Sequence, residues 1–305
     1  TTTAEIQLSG AIVPLSNPIR IAEEYAMVDV MSGGRLMAGF MRGIPHEYVA
    51  YNIDPNDSWS RMREAVSLIL KAWTEPEPFG WEGEHYQFRA VSIWPKPVQF
   101  PHPPILMSGG SPTSAKFAAE HRAVMGILRV LNFDQARELM SIYTERARED
   151  GWEPGPDRFM VGVPTAVANT FEKAKEALYS GTQYFFDVLQ GGINRAQQLV
   201  VQETRYSGGE RQVRPANKDQ VMKQTPVEQR IENGQVLCGT PEMVVNQIKR
   251  MHQELNHGHM NLIVKVGNMP DEFVLDSMTL LKDQVFPHVK NLSPEAVGMV
   301  GRTAA

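Results

Sequence analysis

Seven consecutive residues, Ser108-Gly109-Gly110-Ser111-Pro112-Thr113-Ser114, could hold a phosphate. They join a short apolar run, which predicts a strand, to a helical stretch. Ser111 falls at the N-cap position, Pro112 at the first helical position and Ser114 at the third. The N–H groups that open a helix lack intrahelical acceptors and carry partial positive charge. Two hydroxyls flank them here, and Gly109 and Gly110 admit a ligand close to the backbone. Together these features make an anion seat. The plainer reading of the same residues is a serine cap that serves only its own helix.

A cation for such a seat is Arg42, placed just after the run RLMAGFM and before Gly43. An Arg at the C-terminal end of a buried parallel strand faces the side where α/β sheets bind ligands. The alternative is a surface Arg paired with Glu47 or Asp54. Met41, beside Arg42, could line the same pocket. The loop that follows, Ile44-Pro45-His46-Glu47-Tyr48, offers an imidazole, a carboxylate and a phenol. His46 is the candidate for proton transfer at neutral pH.

Other groups suggest less. His252, His257 and His259 have the spacing of a metal cluster, but they precede a predicted strand and so fall on the rim where sites seldom form. No metal site is expected. Cys238-Gly239-Thr240-Pro241 reads as a helix start, with Cys238 as a small packed residue. Met27, Met31 and Met37 read as core filling. No GxGxxG follows a strand, so no dinucleotide fingerprint is present.

The elements that must position these residues alternate strand and helix. Strands are predicted at 6–13, 35–41, 104–109, 123–130, 158–168 and 261–267. Helices follow from Asn17-Pro18 to about Met31, at 58–73, 111–121, 132–150 and 170–180, and at 271–283 after the last strand. A further helix at 241–255 precedes that strand. Residues 79–97 read as an excursion with a hairpin. Such alternation implies a parallel sheet covered by helices, either doubly wound or an incomplete eight-stranded barrel. Residues 181–239 break the pattern, and about 181–235 is read as a lid-type insertion.

Composition narrows the classes further. With 305 residues, 42% of them hydrophobic, the chain can bury a large core without staples. One cysteine excludes a disulfide framework and fits a reducing, cytoplasmic setting. A net charge of −5 argues against a nucleic-acid partner. No apolar run approaches the ~18 residues of a membrane span, so no membrane partner is expected.

The stretch NPIRIAEEYAMVDVMSGGRLMAGFMRG resembles the bacterial luciferase-like monooxygenases. So do EHYQFRAVSIWPKPVQFPHPPILMSGGSPTSAKFAAE, CGTPEMVVNQI and the closing LIVKVGNMP. The resemblance implies a TIM-type (β/α)8 barrel with insertions. It implies that 1–305 forms one barrel domain that carries strands three to eight and lacks the first two strand–helix units. It also implies a flavin cofactor and a homodimer. Ser111 and Ser114 match the family's hydroxyl ligands of the flavin phosphate, and Arg42 its phosphate-contacting Arg. Gly110 stands where an acidic residue is found in relatives, and Met41 where the luciferases proper carry a reactive Cys. The activity implied is that of a two-component monooxygenase, which takes reduced FMN from a separate flavin reductase and oxygenates a small organic substrate with O2. One alternative is an oxidoreductase that uses the deazaflavin coenzyme, whose acidic tail would call on cations such as Arg129 or Lys96. The other is a flavin-binding protein without turnover, or an inactive fragment.

Overall fold

The computed structural model describes residues 1–192 and 224–292, with the backbone alone for Pro45, His46 and Val49. Two compact units are distinguished. The first is Thr1–Ser108, and the second comprises the described residues from Gly109 onward.

In the first unit, strand β1 (Ile6–Ile12) leads through Asn17 into helix α1 (Pro18–Ser32). The Asn17 side chain accepts from the N–H groups of Ile19 and Arg20, and Gly33 at φ +67° ends the helix. Strand β2 (Leu36–Met41) is buried from Leu36 through Phe40, as a parallel strand covered on both faces should be. A Cβ at Gly39 would lie 1.8 Å from the Leu8 carbonyl oxygen, where the β1–β2 register shifts between Leu8 and Ala11. Glycine is therefore required there by close backbone approach. Helices α2 (Pro45–Ala50) and α3 (Ser58–Thr74) follow. The hairpin comes next, with β3 (Phe79–Glu82) antiparallel to β4 (Gln87–Val91). Strand β5 (Ile105–Ser108) then pairs in parallel with β2, giving the order β1–β2–β5.

The buried stripe of α1 is Ile21, Ala22, Tyr25, Ala26 and Asp29. Met31 is 82% exposed and Met27 lies on the same open side, so only Met37 of these three methionines fills core. The 3.6-residue period puts Met27 and Met31, four apart, on the face opposite the stripe. The Tyr25 hydroxyl donates to the Gly39 carbonyl at 2.9 Å, and the Trp73 indole N–H donates to Ala22 O at 2.9 Å. The excursion is fastened twice. Asp29, fully buried, accepts from Val98 N, Gln99 N and Gln99 Nε2 at 2.8, 3.1 and 2.7 Å. The Lys96 ammonium donates to the carbonyls of Ala72 and Glu75, at the C-terminal end of α3.

The second unit runs α4 (Pro112–Glu120), β6 (Val124–Ile127), α5 (Phe133–Glu149), β7 (Phe159–Val167) and α6 (Phe171–Tyr184). A π-helical turn, Phe185–Leu189, extends α6. After residue 223 come α7 (Val227–Glu232), β8 (Leu237–Gly239), α8 (Pro241–Leu255), β9 (His259–Ile263) and α9 (Asp271–Leu280). The π turn Leu281–Val285 and α10 (Phe286–Val289) end the described chain. β7 pairs in parallel with β6, β9 and β8. Asn132 and Thr240 cap α5 and α8 as their positions predict.

Three strand readings change. The strand expected at 123–130 is confined to Val124–Ile127. β8 was read only as a helix start; its three residues are too short for a periodic signal. The last strand begins at His259 and ends at Ile263, because beyond it the chain turns, with Met269 N bonded to Val266 O. Of the expected insertion, the flanks are helical, and 193–223 lies outside the described residues. Among the described residues no helix is long and apolar enough to cross a membrane.

Candidate active site

The second unit carries the hydroxyls of the predicted seat. Ser111 is extended, at φ −148° and ψ 159°, and caps α4. The two serines close a reciprocal box. Ser114 N donates to Ser111 Oγ at 3.3 Å, Ser111 N donates to Ser114 Oγ at 2.9 Å, and the two hydroxyl oxygens are 2.9 Å apart. The plainer reading of these residues holds: they cap their own helix. The serines satisfy the helix end, and they place two hydroxyls side by side at its positive pole. Pro112 contributes no N–H, and the Thr113 N–H meets no acceptor. The seat is open to solvent, with Gly110, Pro112 and Thr113 exposed and the serines half-buried. Gly109 is sealed instead: its N–H donates to Gly126 O, and a Cβ there would lie 2.1 Å from Met125 Cγ. The Ser114 hydroxyl also donates to Ser111 O at 2.9 Å. A phosphate suits this helix end, because the Thr113 N–H has no acceptor among the described residues and the two hydroxyls, bonded to each other and to the backbone, can exchange those bonds for an anion where a helix favours negative charge.

Arg42 and Met41 belong to the first unit, at the end of β2, and both are half-buried. The Arg42 guanidinium is held by α3. Nη1 donates to the buried Ser58 hydroxyl at 3.1 Å, and Cζ stands 4.7 Å from the centre of the Trp59 ring. A side chain fixed in this way loses less rotamer freedom when it meets a ligand. Glu47 accepts from Ile44 N at 2.6 Å, and Asp54 caps the turn at Asn56. Ser58 and Trp59 were not singled out by sequence reasoning. Trp59 falls at the helical spacing of the apolar residues Met62, Val66, Ile69 and Trp73, and a stacking role leaves no periodic trace.

The loop after β2 forms α2. Tyr48 is fully buried there, and its hydroxyl donates to the Arg42 carbonyl, so the phenol braces the loop and does not face a ligand. His46 lies in α2. The deazaflavin alternative called on Lys96, which the carbonyls of α3 occupy. Arg129 sits two residues beyond β6, with Cζ 5.7 Å from the Phe186 ring centre.

The discounted groups are placed clearly. Cys238 is fully buried, and burial pushes its thiol up to about 12, so it is inert as a nucleophile. His252 Nδ1 contacts His257 O at 3.3 Å, and His259 Nε2 contacts Asp157 O at 3.1 Å. The His257 ring is buried, and neither nitrogen has a hydrogen-bond partner among the described residues.

The family model described as luciferase-like monooxygenase matches residues 1–257. Among curated relatives, the oxygenase component of a flavin-dependent trigonelline monooxygenase from Acinetobacter baylyi is 30% identical over 173 residues. That match covers 55% of this chain and 48% of the relative, so under half of the relative's length is represented. Monooxygenase RslO1 from Streptomyces bottropensis aligns with a TM-score of 0.73 at 24% identity, over 93% of this chain and 78% of that one. The oxygenating constituent of 3,6-diketocamphane monooxygenase from Pseudomonas putida, solved with FMN, gives 0.71 at 18% identity over 93% and 79%. The coenzyme F420-dependent tetrahydromethanopterin reductase from Methanopyrus kandleri gives 0.66 at 18% over 93% and 83%. These structures share the fold, a parallel α/β architecture of the TIM-barrel type. By sequence and by fold, the chain belongs to the luciferase-like monooxygenase family.

Proposed function

We propose that the protein is the oxygenase of a two-component flavin-dependent monooxygenase. It would take reduced FMN from a separate flavin reductase and use O2 to oxygenate a small organic substrate. The observation that carries this reading is the Ser111–Ser114 pair at the positive end of α4, because FMN ends in a phosphate and this helix end suits one. The curated relative is named as an oxygenase component, and one structural neighbour is solved with FMN, which supports the same cofactor.

Bound FMN supplies the redox and oxygen chemistry. The chain's own residues bind and orient it. Ser111 and Ser114 offer hydroxyls and Thr113 an N–H to the phosphate, Gly110 leaves that approach open, and Arg42 adds a fixed positive charge. Met41 is the proposed flavin-side neighbour of Arg42. His46 is the proposed proton donor or acceptor toward the substrate. The segment 181–235 is proposed to close over the site, and the working form to be a homodimer.

Anaerobic titration with reduced FMN, followed by an O2 pulse, tests this reading. Saturable binding is expected, with flavin reoxidation at least tenfold slower than in free solution and a candidate substrate speeding it. Binding without any change in reoxidation would favour a flavin-binding protein that does not turn over. No binding of FMN, with binding of the deazaflavin coenzyme, would favour the hydride-transfer alternative that the F420-dependent neighbour suggests.

The seat itself has a separate check. A Ser111→Ala, Ser114→Ala double variant should weaken FMN binding tenfold or more and leave riboflavin binding within about twofold, since riboflavin lacks the phosphate. The helix should lose about 1 kcal/mol of capping in either case. Equal loss for both ligands would make the serines purely structural.

A further inference from the structure

Arg230 on α7 is 5% exposed and has no ion-pair partner among the described residues. Its Nη1 donates one long bond to Thr182 Oγ1 at 3.4 Å, Thr182 being buried too. Its Nε is buried with no hydrogen-bond partner among the described residues. Guanidinium groups this deep are normally paired, because an uncompensated buried charge costs several kcal/mol. The neighbours aggravate the cost. Burial and the nearby positive charge of Arg129 both lower the Arg230 pKa, and only the Cys238 thiol, itself protonated, opposes them. Five residues on, Gln235 Oε1 is a second buried polar atom without a partner, while its amide nitrogen donates to Leu131 O.

The unused edge of this guanidinium is specific. With Nη1 directed at Thr182, the side formed by Nε and Nη2 remains, two parallel donors on one planar edge. That edge matches the two oxygens of a carboxylate. We propose that Arg230, with Thr182 behind it and Arg129 adding positive potential, receives the carboxylate of a small organic acid. The inference deepens the proposed function by naming a substrate class. The same group could come instead from the acidic tail of a deazaflavin coenzyme. Its test needs neither flavin nor O2, so it stands or falls apart from the monooxygenase reading.

The probe is sodium benzoate added to the flavin-free chain, with benzyl alcohol as the uncharged control. Benzoate should raise the wild-type melting temperature in a saturable way, and benzyl alcohol should not. Arg230→Met keeps the volume of the side chain and removes the charge. It should melt no lower than wild type without ligand and should weaken benzoate at least tenfold. Arg230→Lys should fall between the two. An Arg230→Met protein that melts lower and responds fully to benzoate would overturn the proposal. If that variant fails to fold, the exposed Arg129→Met serves, with an expected loss of threefold or more; an unchanged response would overturn the proposal. Saturating FMN and saturating deazaflavin coenzyme then separate the sources. Benzoate binding that survives FMN assigns the site to the substrate, and displacement only by the deazaflavin coenzyme assigns it to the tail. No benzoate response in wild type overturns both.

Discussion

Arg42→Ala should weaken FMN binding by about 1.5–3 kcal/mol, the scale of a hydrogen bond to a charged group. That is roughly a tenfold to 150-fold rise in dissociation constant. Arg42 is fixed before any ligand arrives, by the Ser58 hydroxyl and the Trp59 ring, so its removal takes away an interaction already organised. Riboflavin should bind both proteins alike, because it offers no phosphate. Arg42→Lys should restore only part of the loss, since an ammonium neither forks nor stacks on Trp59 as a guanidinium does. Fluorescence titration of the two flavins against the three proteins decides the matter. An unchanged FMN constant in Arg42→Ala would remove Arg42 from the seat. Ser58→Ala offers a gentler version of the same test: a loss of a few-fold in FMN affinity, with riboflavin unaffected, is expected of a residue that only positions the guanidinium.

The second large effect is one of stability against pH. Burial, helped by the neighbouring His252, lowers the His257 imidazole to about 4, against about 6.5 in an unfolded chain. Above pH ~6.5 neither state holds the proton, and His257 adds no pH dependence. Between about 6.5 and 4 only the unfolded state takes it up, so stability falls as the pH falls. The full difference is about 3 kcal/mol, reached near pH 4 and constant below it. His257→Leu should therefore be as stable as wild type near neutral pH, since neither ring nitrogen has a partner to lose. It should also keep much of the stability that wild type sheds on acidification. Urea unfolding at several pH values reads this directly, and parallel slopes for the two proteins would disprove the assignment.

The sequence is legible where local chemistry repeats. Asn17-Pro18, Ser111-Pro112 and Thr240-Pro241 each announce a helix start, and all three helices begin there. The apolar runs that become β2, β5, β6 and β7 are buried on both faces and need no alternation to be recognised. The Ser111–Ser114 box could be foreseen because four consecutive residues build it. What holds Arg42 could not, because Ser58 and Trp59 reach it across a loop and belong to another helix. Tyr48 was grouped with His46 and Glu47 by adjacency alone, yet its ring is fully buried. Arg230 gave no signal either. In the string QTPVEQRIENGQ it is one charge among several, and only packing shows that it lies inside without a counter-ion among the described residues.

The carboxylate of Asp29 gathers three N–H groups from residues 98 and 99, and Lys96 grips the end of α3. The excursion carries several exposed apolar side chains, Trp94 and Phe100 among them, yet its root is buttoned into the body of the first unit. The Val98 and Gln99 amides should then resist exchange with deuterated solvent as strongly as the core amides of α1, because they are released only when that helix is. Asp29→Ala would uncouple them, turning slow cooperative exchange into fast local exchange at these two amides while the core of β2 keeps its protection.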